Sequence, residues 1–334
     1  MRRATAGVGW LVVLGLVASV GLAAAAGPVQ AAAESGAAAR YPSKAIVLIV
    51  PWAAGGDTDV LYRIVAEFAE KELGQPVVVQ NIPGGGGTVG AAEALRRAPD
   101  GYTWFAGHDS LALSYLTGVV DFSYFDFQPV ALMTSTPEIW TARANFPARD
   151  AREALELVRR NPGRYTFAAT LGSTSHMFPL AMQVRGGLQF RIVSYEGTAE
   201  RTQAAVGGHV DFISSNIASG KSYVDAGRLK FLAIATAQRD PRLPDLPTLK
   251  ELGVDWEQAV NRGIYVPKGT DPAIVRKIAD ALGRVASNPQ FRARIEGLGT
   301  QVNYIPLERY EAFLRKSLAD LTEMTRAMGV YARG

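Results

Sequence analysis

The sequence predicts an α/β protein of two doubly wound lobes, joined by two crossing strands, with a small-ligand cleft between them. Three observations carry this expectation. Apolar, strand-like runs alternate with helical patterns along most of the chain, the grammar of a largely parallel sheet covered on both faces. Small-residue loops follow several of those strands and open into helices, where strand carboxyl ends and free helix N–H groups meet ligands. The same grammar restarts after a candidate crossing strand, and 334 residues suffice for two domains of ordinary size.

The organising stretch is residues 47–60. Val47-Leu48-Ile49-Val50 runs into Pro51-Trp52-Ala53-Ala54-Gly55-Gly56, and Asp57-Thr58-Asp59 leads into a helix expected over 60–73. Such a loop can hold an anion on backbone N–H groups without a basic side chain. The strand before it is apolar throughout, as burial on both faces requires. A second strand is expected at 77–79. Pro83-Gly84-Gly85-Gly86-Gly87-Thr88 then opens a helix over 89–98, and a third strand at 102–106 completes a β-α-β-α-β half.

Beyond a helix at 111–118 and an aromatic loop at 121–127, strands are expected at 129–133 and 139–142, the latter crossing to another lobe. That lobe should hold helices at 151–160, 177–184 and 199–206, and strands at 165–169, 191–195, 210–213 and 231–235. Residues 240–247 read as an extended, proline-rich connector. A return strand is expected at 262–266. Helices at 272–286, 289–298 and 308–328 should then cap the first lobe, with no further strand.

Composition excludes several classes. The formal net charge is +4, from 35 basic and 31 acidic residues, too even for a nucleic-acid footprint or a polybasic membrane patch. No cysteine occurs, which removes disulfides, thiolate nucleophiles and Cys-based metal sites. His108, His176 and His209 lie far apart, so neither a metal nor a cofactor is expected. Arg2-Arg3, the apolar run 7–26 and Ala31-Ala32-Ala33 read as a signal peptide, residues 1–33, cut after Ala33. A membrane anchor is the competing explanation. Without a Cys the segment is no lipoprotein signal, and 34–40 would be a mobile tether.

The short motifs are mostly structural. Gly85, Gly87 and Gly90 match G-x-G-x-x-G, but they follow the second strand, and another strand separates them from Asp109. Close approach to a small anion explains them better than a dinucleotide. Gly220-Lys221-Ser222 lacks a P-loop's first glycine, with Ser215 in its place, and reads as a helix end and turn. His108-Asp109-Ser110 has triad residue types, yet adjacent side chains cannot form a relay with each other, and no G-x-S-x-G elbow occurs. Thr58 or Asp59 is expected to cap the first helix. Asp57 then has less structural excuse, and Trp52 suits either the core or a cleft wall.

The loop at 51–59, the glycine loop at 83–90 and Pro99-Asp100-Gly101-Tyr102-Thr103 together resemble the Bug family, the substrate-binding proteins of tripartite tricarboxylate transporters. Tyr41-Pro42-Ser43-Lys44, the run 73–79, Gly172-Ser173-Thr174-Ser175-His176, Tyr195-Glu196-Gly197, the run 243–248 and Val266-Pro267-Lys268-Gly269-Thr270 are also similar to it. The resemblance implies a type II periplasmic-binding-protein fold. Lobe 1 would span 41–141 plus 263–334 and lobe 2 would span 142–262, closing about a hinge. It further implies a monomeric periplasmic receptor without catalysis. Such a receptor captures a small carboxylated solute for the membrane permease subunits of a tripartite tricarboxylate transporter. A ligand-sensing partner of a membrane sensor kinase and a periplasmic hydrolase remain alternatives.

Carried over by the resemblance, Ala53, Gly55, Thr58, Asp59, Gly86, Gly87 and Thr88 would hold one carboxylate, largely through backbone groups and water. Ser173, Ser175, His176, Tyr195, Glu196, Gly197 and Thr198 would meet the ligand's far end, with Trp52, Asp57, His108 and Asp109 also in the cleft. Asp57, Glu196 and His108-Asp109 depart from the family pattern by adding acid beside an anion cradle, where a dianion is repelled. They point to a ligand with an amino or amide group, or else to acids that face solvent or pair with Arg185 or Arg191.

Overall fold

The computed structural model describes residues 36–333; the expected signal peptide, residues 1–33, lies outside the described residues. In chain order the elements are α1 (Gly36–Ala39), β1 (Ile46–Val50), α2 (Asp57–Leu73), β2 (Val77–Asn81), α3 (Thr88–Leu95), β3 (Thr103–His108), α4 (Ser110–Leu116) and β4 (Phe127–Pro137). Then come β5 (Ile139–Arg143), α5 (Ala151–Arg160), β6 (Thr166–Ala169), α6 (Thr174–Gly186), β7 (Arg191–Ser194), α7 (Thr198–Val206), β8 (Phe212–Ser215), α8 (Ile217–Asp225) and β9 (Leu229–Ile234). The chain ends through β10 (Ala259–Pro267), α9 (Pro272–Ser287), α10 (Pro289–Gly297), β11 (Gln301–Ile305) and α11 (Leu307–Ala327).

These strands make two mixed sheets, ordered β11-β4-β10-β3-β1-β2 and β7-β6-β8-β5-β9. β1 is parallel to both its neighbours, while β10 runs antiparallel between β3 and β4. Period-2 geometry explains the apolar run of β1. Ile46, Leu48 and Val50 enter the cluster beneath α2 and α9, and Ile49 enters the one on the opposite face with Phe105 and Leu314. The second sheet is covered in the same way, with Phe167 and Phe212 on one face and Ala168 and Ile213 on the other.

Several elements differ from expectation. β11 was not expected, because it is an edge strand whose alternating exposure leaves it no apolar run. α8 contains Gly220, Lys221 and Ser222 in its interior, where a helix end was expected, and Asn216 caps it with a reciprocal Ser219 bond. β4 continues past Met133 through buried Thr134, Ser135 and Thr136, the last two with polar partners: Ser135 Oγ donates to Asn261 Oδ1 at 2.6 Å, and Thr136 Oγ1 lies 2.8 Å from Thr300 Oγ1. The expected tether at 36–40 is not free. α1 buries Ala38, whose carbonyl accepts Lys277 Nζ at 2.7 Å.

A single residue, Glu138, separates the last strand residue in the first sheet from the first in the second. Its N–H donates to Gln258 O at 3.1 Å, the Gln258 N–H to Ala235 O at 2.8 Å, and the Ala235 N–H back to Glu138 O at 2.9 Å. This closed triangle of backbone bonds ties both crossings together.

Gly263, in β10, is where Tyr310 of α11 packs directly onto the first sheet. A Cβ there would stand 1.9 Å from Tyr310 Oη and 2.9 Å from Ala131 O. Its carbonyl accepts Tyr62 Oη at 2.6 Å, and Tyr310 Oη donates to Tyr265 Oη at 2.6 Å. Gly263→Ala is expected to cost about 1–3 kcal/mol or more through overpacking. Denaturant titration measures this, and an unchanged midpoint would contradict the close packing.

Candidate functional site

The parallel strands of both sheets point their carboxyl ends at one cavity of about 60 Å³, room for a few water molecules. From the first sheet come Trp52, Ala53, Asp57 and Thr58 after β1, Pro83 after β2 and His108 at the end of β3. The crossings add Glu138, Val260 and Arg262. Ser173, Thr174 and Ser175 at the start of α6, and Glu196 to Arg201 at the start of α7, close the other side.

α2 begins at Asp57, three residues before the expected start, with Gly56 as N-cap and no side-chain cap. Neither Thr58 nor Asp59 therefore caps it. Instead the Asp59 carboxylate folds back to accept the Gly55 N–H at 2.9 Å, Arg63 Nε at 3.0 Å and Asn81 Nδ2 at 2.8 Å, which fixes the loop from outside the cavity. Thr58 Oγ1 accepts Arg262 Nε at 3.1 Å.

Asp57 is the hub. Its side chain is only 9 % exposed, and Oδ2 accepts Arg262 Nη2 at 2.6 Å and Asn216 Nδ2 at 3.0 Å, while Oδ1 accepts Thr198 Oγ1 at 3.1 Å. Burial alone would raise its carboxyl, but Arg262, Arg201 and the Thr198 hydroxyl outweigh it and hold the group below its usual range. Arg262 also donates Nη1 to Thr136 Oγ1 at 2.6 Å. Arg201 gives Nη1 to Thr170 Oγ1 at 2.7 Å and Nη2 to Thr198 Oγ1 at 3.1 Å. The partner of Asp57 is thus neither Arg185 nor Arg191.

Trp52 lies flat against His108, with ring centroids 5.0 Å apart at 11°. Burial lowers the His108 pKa to about 3, so the ring is neutral, and its Nδ1 accepts the Ser110 N–H at 3.2 Å. Ser173 and Ser175 share a 2.8 Å hydroxyl contact, and Ser173 Oγ donates to Thr170 O at 2.7 Å rather than to a base. Glu196 sits exposed on the rim.

Other sequence-derived candidates do not line this cavity. Asp109 faces a separate cavity of about 480 Å³ and accepts the Asn261 N–H at 2.9 Å, because consecutive residues at a strand end point opposite ways. Burial raises its carboxyl to about 6. Gly55 closes the loop turn at φ 79°. Thr88 Oγ1 donates within its own loop to Gly85 O, His176 turns back toward the Gly172 N–H, and Tyr195 packs beside Ala204 and Val210. The glycine loop instead serves close packing. A Cβ on Gly87 would lie 3.1 Å from the Trp52 ring, and one on Gly86 3.1 Å from Leu171 O on the facing loop.

Sequence reasoning missed Arg201, Arg262, Glu138 and Asn216. A charged residue at the start of an apolar strand was the available signal for Arg262, and one between two strands for Glu138. Among the described residues no His, Asp and Glu cluster could hold a metal ion.

Two α/β lobes with a cavity between them beside crossing strands form the architecture of periplasmic solute-binding proteins, and solved structures agree. The periplasmic binding protein BugD superposes with a TM-score of 0.82 at 30% identity, covering 88% of this chain and 100% of that one. MatC of Rhodopseudomonas palustris, solved with bound malate, gives 0.78 at 31%, covering 87% and 99%. A Cupriavidus necator relative, the UPF0065 protein in the gbd 5′ region, is 31% identical over 295 residues, 88% of this chain and 90% of its own. Residues 61–330 match the tripartite tricarboxylate transporter family receptor, and the chain belongs to that family.

Glu138 supplies a pH test. Burial raises its carboxyl to about 7 from an ordinary 4.5, against the downward pull of Arg201. The stability it contributes is therefore present below about pH 4.5 and lost as pH rises through about 7. Glu138→Gln should flatten that fall and leave the variant more stable at pH 8 by up to roughly 3 kcal/mol. Denaturant titrations of both proteins at pH 5 and pH 8 measure the gap; parallel losses would refute it.

Proposed function

We propose that this protein is a non-catalytic periplasmic receptor that captures a small carboxylate-bearing solute and delivers it to the membrane subunits of a tripartite tricarboxylate-type transporter. The observation that carries the proposal is Arg201, a guanidinium 5 % exposed that lines the interlobe cavity with Nε left unpartnered. An unpaired buried donor of a charged group is costly unless a ligand completes it. Beside it the N-terminus of α7, which has no side-chain cap, adds backbone donors suited to an anion. The family membership and the malate held by MatC support the same substrate class.

No described helix is long and apolar enough to cross a membrane. The test is calorimetry and thermal shift with a panel of small mono- and dicarboxylates. Saturable binding without turnover is expected, and Arg201→Ala should weaken it about ten- to a hundredfold, the value of one charge-assisted bond. Chemical conversion of a bound compound, or equal binding by the variant, would count against the proposal.

A further inference from the structure

The inner end of the cavity already contains an anion. Asp57 lies at the first turn of its own helix α2, takes a hydroxyl bond from Thr198 at the start of α7, and takes an amide bond from Asn216, the N-cap of α8. Arg262 closes the fourth side at 2.6 Å. Three helix N-termini and a guanidinium define a place built for a carboxylate, and the chain fills it from within.

What remains for a guest is a different set of groups. Three buried polar atoms of residues that line the cavity make no hydrogen bond of good geometry: Trp52 Nε1, Arg201 Nε and Glu138 Oε2, the last with the Ser214 hydroxyl nearby. Glu138 and Arg201 are 4 % and 5 % exposed, so water does not readily satisfy them. Two of these atoms donate, and the third accepts when Glu138 is ionised. A guest carboxylate would satisfy the donors but meet the charge of Asp57 and, above about pH 7, that of Glu138 as well. A guest ammonium would suit Glu138 but meet Arg201. A carboxamide meets both requirements, its oxygen accepting from the donors and its NH₂ donating to the carboxylate.

We propose that Asp57 acts as a built-in carboxylate that determines specificity, so that the receptor prefers ligands presenting a neutral carboxamide head to the inner cavity and a single carboxylate elsewhere. This rests on the carboxylate-receptor reading above. The experiment compares matched pairs that differ only at one end, succinate with its monoamide and adipate with its monoamide. Calorimetry is run on the wild type, Asp57→Asn and Asp57→Ser, with circular dichroism to verify folding.

The wild type is expected to bind the monoamide of at least one pair tenfold or more tighter than the diacid. Removing the Asp57 charge leaves Arg262 for a guest, so both variants should shift that ratio at least tenfold toward the diacid. Glu138→Gln keeps Asp57 in place and should shift it the same way by a smaller factor, which provides a readout even where the Asp57 variants fold poorly. Tighter binding of both diacids by the wild type, or a monoamide preference that survives loss of the Asp57 charge, overturns the proposal while leaving the receptor reading intact. No saturable binding of any of the four acids by the wild type overturns both.

Discussion

The contact between Asp57 and Arg262 is the constraint on which the rest of the cavity depends. A buried ion pair is expensive to desolvate, and its attraction repays that cost only when the remaining hydrogen-bonding capacity is also met. Here it is met from both sides of the cleft: Thr58 and Thr136 complete the guanidinium, and Thr198 and Asn216 complete the carboxylate. The pair therefore links α2, a crossing strand and the starts of two helices of the second lobe in a single network. Networks of this kind specify one arrangement more strongly than they stabilise it.

That network also accounts for the polar character of strands that should be apolar. β4 carries Thr134, Ser135 and Thr136 at full burial, and β10 carries Asn261 and Arg262 beside them. Ser135 bonds Asn261 and Asn303, and Thr136 bonds Arg262 and Thr300, the last from the loop between α10 and β11. The two crossing strands thus change from apolar spacers in the first lobe to a hydrogen-bonded floor beneath the cleft. The same transition separates Phe105, in the core, from His108, in the cavity wall, along one six-residue strand.

The architecture was legible because its signals are local. The runs at β1 and β2 and the loops before α2, α3 and α6 declare themselves through apolar continuity, glycine and serine. What escaped depends on distance or direction. β11 pairs on one side only and shows no apolar run; α8 is too polar and glycine-bearing to announce a helix. The partner of Asp57 lies 205 residues away, and no spacing rule encodes such a pair. Asp59 and Asp109 share loops with cavity residues but face away from the cavity, since neighbouring residues at a strand end or first helical turn project in different directions. Composition placed these acids near the site, and only the backbone path determined which of them faces inward.

The backbone triangle of Glu138, Ala235 and Gln258 has a mechanical consequence. Each of its three residues abuts a strand directly, Glu138 between β4 and β5, Ala235 after β9 and Gln258 before β10, so it holds no slack of its own. An axis of lobe rotation passing through it would lie close to Glu138 and Arg262 and far from the rim at Glu196. Small angular movement then displaces the rim by a long arc while the innermost groups barely move. Opening about that axis would part Asp57 from Thr198 and Asn216 across the cleft, so those two contacts would belong to the closed form alone.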